Sequence, residues 1–86
     1  MSELSQSEVE QRTMAVIKEA LRLPEDQKMI PEYQLGADLG GDSLGVIEMV
    51  SDLEEAFKIE LSDDEKWETF TIADVLRLVN KGLEKK

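Results

Sequence analysis

The chain has 86 residues, which is enough for one small domain with a modest hydrophobic core and no deep, walled pocket. It contains no cysteine and no histidine. Disulfides and thiolate metal sites are therefore excluded, and catalysis by the chain itself is disfavoured because the commonest general base is missing. Twenty acidic and ten basic side chains leave a net charge of −10, which argues against nucleic acid and anionic membranes and favours partners with basic surfaces.

The first predicted element is a helix over about residues 6 to 21. The segment Ser5-Gln6-Ser7-Glu8 fits a capping box, and the residues after it place apolar side chains and one threonine at three- and four-residue steps: Val9, Thr13, Val16, Ile17 and Ala20. Two prolines and three glycines then predict a long connection over residues 22–41. We expect a packed loop held by Ile30, Leu35 and Leu39, because long loops in compact domains are commonly functional.

Three further helices are predicted after this loop. Asp42 can cap a helix over about 43–57, and the segments Ser62-Asp63-Asp64-Glu65 and Thr71-Ile72-Ala73-Asp74 fit capping boxes before a short helix at about 63–68 and a longer one at about 72–83. Trp67 and Phe70 are expected to close the core. The predicted fold is all-α, a small four-helix bundle with three longer helices and one short one, forming a single domain over residues 1–86.

Ser43 is the candidate functional residue, because it lies at the first turn of a predicted helix, where free N–H groups and the helix dipole favour a phosphate. The motif Gly41-Asp42-Ser43-Leu44 is also found in a serine esterase family, but the chain has neither a histidine nor a predicted sheet to support that chemistry. A calcium loop beginning at Asp38 is disfavoured, since Ser43 replaces its glycine and Met49 its bidentate glutamate.

An acidic surface is predicted next to Ser43. Residues 38 to 68 hold eleven acidic and two basic side chains, and helical geometry places Leu44, Glu48, Ser51 and Glu55 on one exposed stripe. Such a stripe suits a partner with an apolar depression surrounded by Lys and Arg, although it could also be an ordinary solvated helix face. No apolar run approaches the roughly 20 residues that span a bilayer, and no signal-peptide pattern begins the chain, so we expect a cytoplasmic protein, without membrane insertion, that needs no oligomer.

The segment Leu39-Gly40-Gly41-Asp42-Ser43-Leu44, followed by Glu48 and by Leu53-Glu54-Glu55-Ala56-Phe57, resembles the acyl carrier protein family over residues 35–79; the first helix matches in pattern only. The resemblance implies that Ser43 carries 4′-phosphopantetheine, moved from coenzyme A by a phosphopantetheinyl transferase, and that the thiol of this arm holds the cargo as a thioester. It implies a non-catalytic carrier. It also implies that six positions meet basic surfaces on the transferase and on acyl-loading and acyl-processing enzymes: Asp42, Leu44, Ile47, Glu48, Glu54 and Glu55.

The residues around Ser43 depart from the usual pattern of the family. Fatty-acid members usually have Gly-Ala-Asp-Ser-Leu-Asp, whereas this chain has glycine at positions 41 and 45. These glycines resemble peptidyl and D-alanyl carriers, so we expect a specialised carrier for a fatty-acid, polyketide or related lipid pathway, and a freestanding aminoacyl or peptidyl carrier is the nearest alternative. A second alternative is an acidic helical adaptor that is never modified, in which Asp42 and Ser43 only cap a helix.

Overall fold

The computed structural model describes residues 5–61 and 67–85, and that part of the chain is helical, without strands. Its elements are α1 (Gln6–Leu21), α2 (Ser43–Phe57), a single 3₁₀ turn (Trp67–Thr69) and α3 (Ile72–Glu84). The all-α class and the three longer helices are confirmed. The short helix expected at about 63–68 falls largely outside the described residues, and the 3₁₀ turn that follows does not confirm it.

The helices begin at the capping residues expected from the sequence. Ser5 Oγ accepts the Glu8 N–H at 3.1 Å, and Glu8 Oε1 accepts the Ser5 N–H at 3.0 Å, so the first capping box is complete. Thr71 and Asp74 form the same reciprocal pair at the start of α3. Each box satisfies backbone N–H groups that have no partner inside the helix, and this fixes where the helix starts.

The core lies between the three helices, with α1 packed against both α2 and α3. Each helix buries one apolar stripe: Val9, Ile17 and Ala20 on α1; Val46, Met49, Val50, Leu53 and Phe57 on α2; Ile72, Val75 and Val79 on α3. Burying one such aliphatic side chain stabilises the fold by about 1.5–3 kcal/mol. Trp67 is also buried and stacks at a tilt on Phe70 with ring centroids 5.1 Å apart, as expected for residues that close the core.

One polar side chain lies in this core. Thr13 on α1 is fully buried, and its hydroxyl has no hydrogen-bond partner in the described structure. Sequence periodicity placed Thr13 on the buried face but gave no information about partners. A buried hydroxyl without a partner destabilises the fold, because it has lost its hydrogen bonds to water.

The long loop between α1 and α2 is packed, as predicted. Leu35 and Leu39 are buried in the core, whereas Ile30 is only half-buried and is not one of the side chains that pack against it. The Leu35 N–H donates to the Phe70 carbonyl at 2.9 Å, and the Gly41 N–H donates to the Leu35 carbonyl at 2.8 Å. The backbone of Leu35 therefore links the start of α3 to the residues that lead into α2.

No helix within residues 5–61 and 67–85 is long and apolar enough to cross a membrane.

Candidate functional site

Ser43 is the first residue of α2, and its side chain is exposed. Asp42 caps the helix: its Oδ1 accepts the Gly45 N–H at 2.8 Å, and its carbonyl accepts the Val46 N–H at 2.9 Å. Within the described residues, the N–H groups of Ser43 and Leu44 form no hydrogen bond. A negatively charged group on the Ser43 hydroxyl would therefore lie beside two free donors at the positive end of a helix.

Leu21 brings the end of α1 close to this helix start. A Cβ atom added at Gly41 would lie 2.9 Å from Leu21 Cδ2 and 2.9 Å from the Leu35 carbonyl oxygen. One added at Gly45 would lie 3.0 Å from the same methyl carbon and 3.2 Å from Asp42 Oδ1. The space that side chains at positions 41 and 45 would need is thus filled by Leu21. The two glycines that depart from the usual family pattern, Gly41 and Gly45, therefore both lie against the same side chain of α1.

The exposed stripe predicted on α2 is present. Leu44 and Ile47 are large apolar side chains with 67% and 64% exposure, and Glu48, Ser51 and Glu55 are exposed beside them. Ile47 therefore belongs to the same exposed surface as Leu44. This surface combines two apolar side chains with carboxylates, and it extends along α2 from Leu44, which directly follows Ser43, to Glu55.

Two of the six residues implied in docking also have structural roles. One oxygen of Asp42 is occupied by the helix cap. Glu54 is half-buried, and its Oε2 accepts the Leu61 N–H at 2.8 Å, so it holds the segment that follows α2. Sequence reasoning could not reveal this bond, because Leu61 is seven residues away and outside the helix. Leu44, Ile47, Glu48 and Glu55 have no comparable contact in the described structure.

A groove runs between α1 and α2 from the start of α2 toward its end. A depression of about 340 Å³ at the start of α2 is lined by residues from the end of α1 and by residues before and after Ser43 in the chain, among them Arg22, Gly41, Asp42 and Leu44. A second depression, of about 460 Å³, shares Ala20, Arg22 and Glu48 with it and is continued by Glu19, Asp52 and Glu55.

Across residues 5–61 and 67–85, no group of three or more acidic side chains is placed to hold a metal ion.

Arg22 is one of the residues of this groove that sequence reasoning missed. It follows the last residue of α1 and adopts a left-handed conformation with φ 60° and ψ 46°. Glycine is the usual residue in that conformation at a helix end, and here an arginine occupies the position. The sequence signal that could have identified Arg22 was therefore only a long basic residue at the end of the predicted first helix. Glu19 and Asp52 were also missed, because their proximity depends on how α1 and α2 pack.

Known proteins are similar to this chain over most of its length. The family model described as "Phosphopantetheine attachment site" matches residues 11–79. An acyl carrier protein of Desulforapulum autotrophicum is 36% identical over 73 residues, which cover 85% of this chain and 95% of that protein. The chain belongs to the acyl carrier protein family.

Other acyl carrier proteins show the same degree of similarity. One from Thermosynechococcus vestitus is 34% identical over 90% of this chain and 94% of its own length. A chloroplastic acyl carrier protein of Brassica napus is 33% identical over 92% of this chain and 58% of its own length. As an acyl carrier protein, the chain has a covalently attached 4′-phosphopantetheine as its prosthetic group and acts as a carrier together with phosphopantetheinyl transferase and pathway enzymes.

The residues at the start of α2 fit this prosthetic group. They offer an exposed hydroxyl and two free N–H donors for a phosphate, and Arg22 at the end of α1 lines the same depression as Asp42 and Leu44. When attached, the group supplies the thiol that holds cargo.

Proposed function

We propose that Ser43 is the attachment residue and that the chain carries an acyl intermediate as a thioester on the pantetheine arm. The observation that carries this proposal is the position of Ser43: an exposed hydroxyl on the first residue of α2, inside the matched region 11–79. The N–H groups of Ser43 and Leu44 support a phosphodiester there, because they have no other acceptor in the described structure.

Activation of the Ser43 hydroxyl falls to the transferase. The chain contains no histidine, and the carboxylate nearest in sequence, Asp42, uses Oδ1 to cap the helix. The contribution of the chain is to present the hydroxyl on a fixed helix start, where the cap and the packed loop restrict its movement. Loading is therefore a reaction performed on this protein by another enzyme.

We also propose that partners dock on the exposed surface of α2 through Leu44, Ile47, Glu48 and Glu55. Two largely exposed apolar side chains offer contact area, and the carboxylates select partners with Lys and Arg on their surfaces. Asp42 contributes its remaining carboxylate oxygen. Glu54 contributes mainly by holding Leu61, so its replacement is expected to lower stability as well as binding.

The direct test is the intact mass of the protein after incubation with coenzyme A, Mg²⁺ and a phosphopantetheinyl transferase of broad specificity. We expect a gain of one phosphopantetheine, mapped by peptide mass to Ser43. Ser43→Ala is expected to abolish the gain while keeping the fold. Ser51→Ala is the matched control, because Ser51 is an exposed serine on the same helix. Loading of Ser43→Ala, or failure of the folded parent with several transferases, would contradict the proposal.

The cargo is proposed to be an acyl group of a fatty-acid, polyketide or related lipid pathway, because the relatives reported above are acyl carrier proteins. The glycines at positions 41 and 45 keep the aminoacyl or peptidyl carrier as the alternative. Incubating the loaded protein separately with an acyl-ligating and an aminoacyl-adenylating enzyme, each with its own substrate, distinguishes the two. Faster formation of the acyl thioester is expected; faster aminoacylation would favour the alternative.

A further inference from the structure

We propose that Arg22 binds the phosphodiester that joins the prosthetic group to Ser43. The inference rests on the proposed attachment at Ser43 and extends it to a residue of another helix. Arg22 is exposed and lines the same depression as Gly41, Asp42 and Leu44, the residues on either side of Ser43 in the chain. An arginine side chain is suited to this role, because its planar guanidinium can donate two hydrogen bonds to two phosphate oxygens.

Packing at the end of α1 places Arg22 there. Leu21 fills the space over Gly41 and Gly45, so closely that a Cβ at either position would lie within 3.0 Å of its Cδ2. The next residue, Arg22, turns the chain out of α1 in the left-handed region, and its N–H donates to the carbonyls of Lys18 and Glu19. A non-glycine residue is strained in that conformation, so the turn of the backbone at Arg22 has a local conformational cost.

The charges around Ser43 favour binding of the phosphate by Arg22. The chain has a net charge of −10, and Asp42 and Glu48 line the same depression as Arg22 at the start of α2. A phosphodiester adds one negative charge at the same place, where it is repelled by these carboxylates. Arg22 is the basic residue that lines this depression, and within the described residues it forms no ion pair. Its guanidinium is therefore available to the phosphate.

The first test compares apo and loaded wild-type protein by NMR at low salt, following the side-chain Nε–Hε resonances of the arginines. On loading, the Arg22 resonance is expected to shift, whereas those of Arg12 on α1 and Arg77 on α3 remain in place. Arg77 is a useful internal reference, because it already pairs with Asp74 at 3.1 Å. No shift at Arg22, or an equal shift at all three, would overturn the inference.

The second test measures how loading changes the melting temperature in Arg22→Gln and in a matched control, Lys58→Gln. Lys58 is also a basic residue in the left-handed conformation at a helix end, with φ 57°, but it follows α2 at the end opposite Ser43. The helix rise places it roughly 22 Å from Ser43. Both variants lose one positive charge, so a general charge effect changes them equally.

At low salt, the melting temperature of the loaded form minus that of the apo form is expected to be roughly 1–5 °C lower in Arg22→Gln than in wild type and unchanged in Lys58→Gln. Arg22→Lys should restore part of the difference, and about 1 M NaCl should remove it. Equal behaviour of Arg22→Gln and Lys58→Gln would overturn the role of Arg22 even when Ser43 is loaded. Failure of wild type to load at all would instead contradict the attachment at Ser43.

Discussion

Replacing Thr13 with valine is expected to stabilise this acyl carrier protein. Thr13 is fully buried on the core face of α1, and its hydroxyl has no partner in the described structure. Valine has nearly the same shape, with a methyl group in place of the hydroxyl. Both residues are β-branched and have similar helix propensities, so the substitution changes little apart from the buried polar group.

The size of the effect follows from the cost of burying that hydroxyl. A hydroxyl that loses its hydrogen bonds to water and gains none costs about 1–3 kcal/mol in protein interiors. Some of this is offset by slight repacking around the new methyl group. We therefore expect Thr13→Val to raise the free energy of unfolding by about 1 kcal/mol. In a domain of this size, that increase raises the melting temperature by roughly 4–8 °C.

Urea denaturation and thermal melting of the apo protein measure this change, with Thr13→Ser as the matched control. Serine keeps the hydroxyl and removes the methyl group, so it leaves the polar cost in place and adds a small cavity. We expect Thr13→Ser to lower the free energy of unfolding by about 0.5–1.5 kcal/mol. The two variants should thus move stability in opposite directions, with unchanged slopes in urea.

A loss of stability in Thr13→Val would refute this reasoning. That result would mean that the hydroxyl has a partner in solution, such as the carbonyl of Val9 one turn earlier in α1 or a buried water molecule. A crystal structure of the wild-type protein would then distinguish the two. If both variants lose similar amounts of stability, the hydroxyl and the methyl group contribute about equally to the stability that Thr13 provides.

Three further predictions concern packing and charge. Gly41→Ala should lower the free energy of unfolding by about 1–3 kcal/mol in urea titrations, because the new Cβ would lie 2.9 Å from the backbone oxygen of Leu35. If the variant is as stable as wild type, the loop backbone can shift to accommodate the Cβ at little cost. The pKa of Asp74 lies below its ordinary value of 3.8, first because of the Thr71 N–H. The stabilising effect of the ionised Asp74 is therefore present above about pH 4 and lost at lower pH. The difference in the free energy of unfolding between wild type and Asp74→Asn should shrink as the pH falls below 4. A difference that stays constant with pH would contradict this. Added NaCl or millimolar Mg²⁺ should raise the melting temperature of a chain with net charge −10, whereas no response would argue against charge repulsion as a limit on stability.

Much of the fold could be predicted because its signals are local. Ser5, Asp42 and Thr71 accept hydrogen bonds from N–H groups within the next three residues, so the helix starts can be recognised from short segments of sequence. The periodicity of the first helix identified four residues that are buried, Val9, Thr13, Ile17 and Ala20, and helical geometry placed Leu44 and Glu48 on the exposed side of α2. The position of Ser43 at a helix start follows from these local rules.

The sequence by itself therefore determined the helical class, the longer helices and the exposed position of Ser43, because capping and periodicity act within one or two helical turns. Only the tertiary structure decided that Leu21 fills the space beside Gly45, that Glu54 holds Leu61, and that Arg22 lies next to the start of α2. Periodicity specifies which side of a helix faces the core. It does not specify which residues of another helix or loop lie opposite, or how closely they approach, because those distances depend on the packing of the whole bundle.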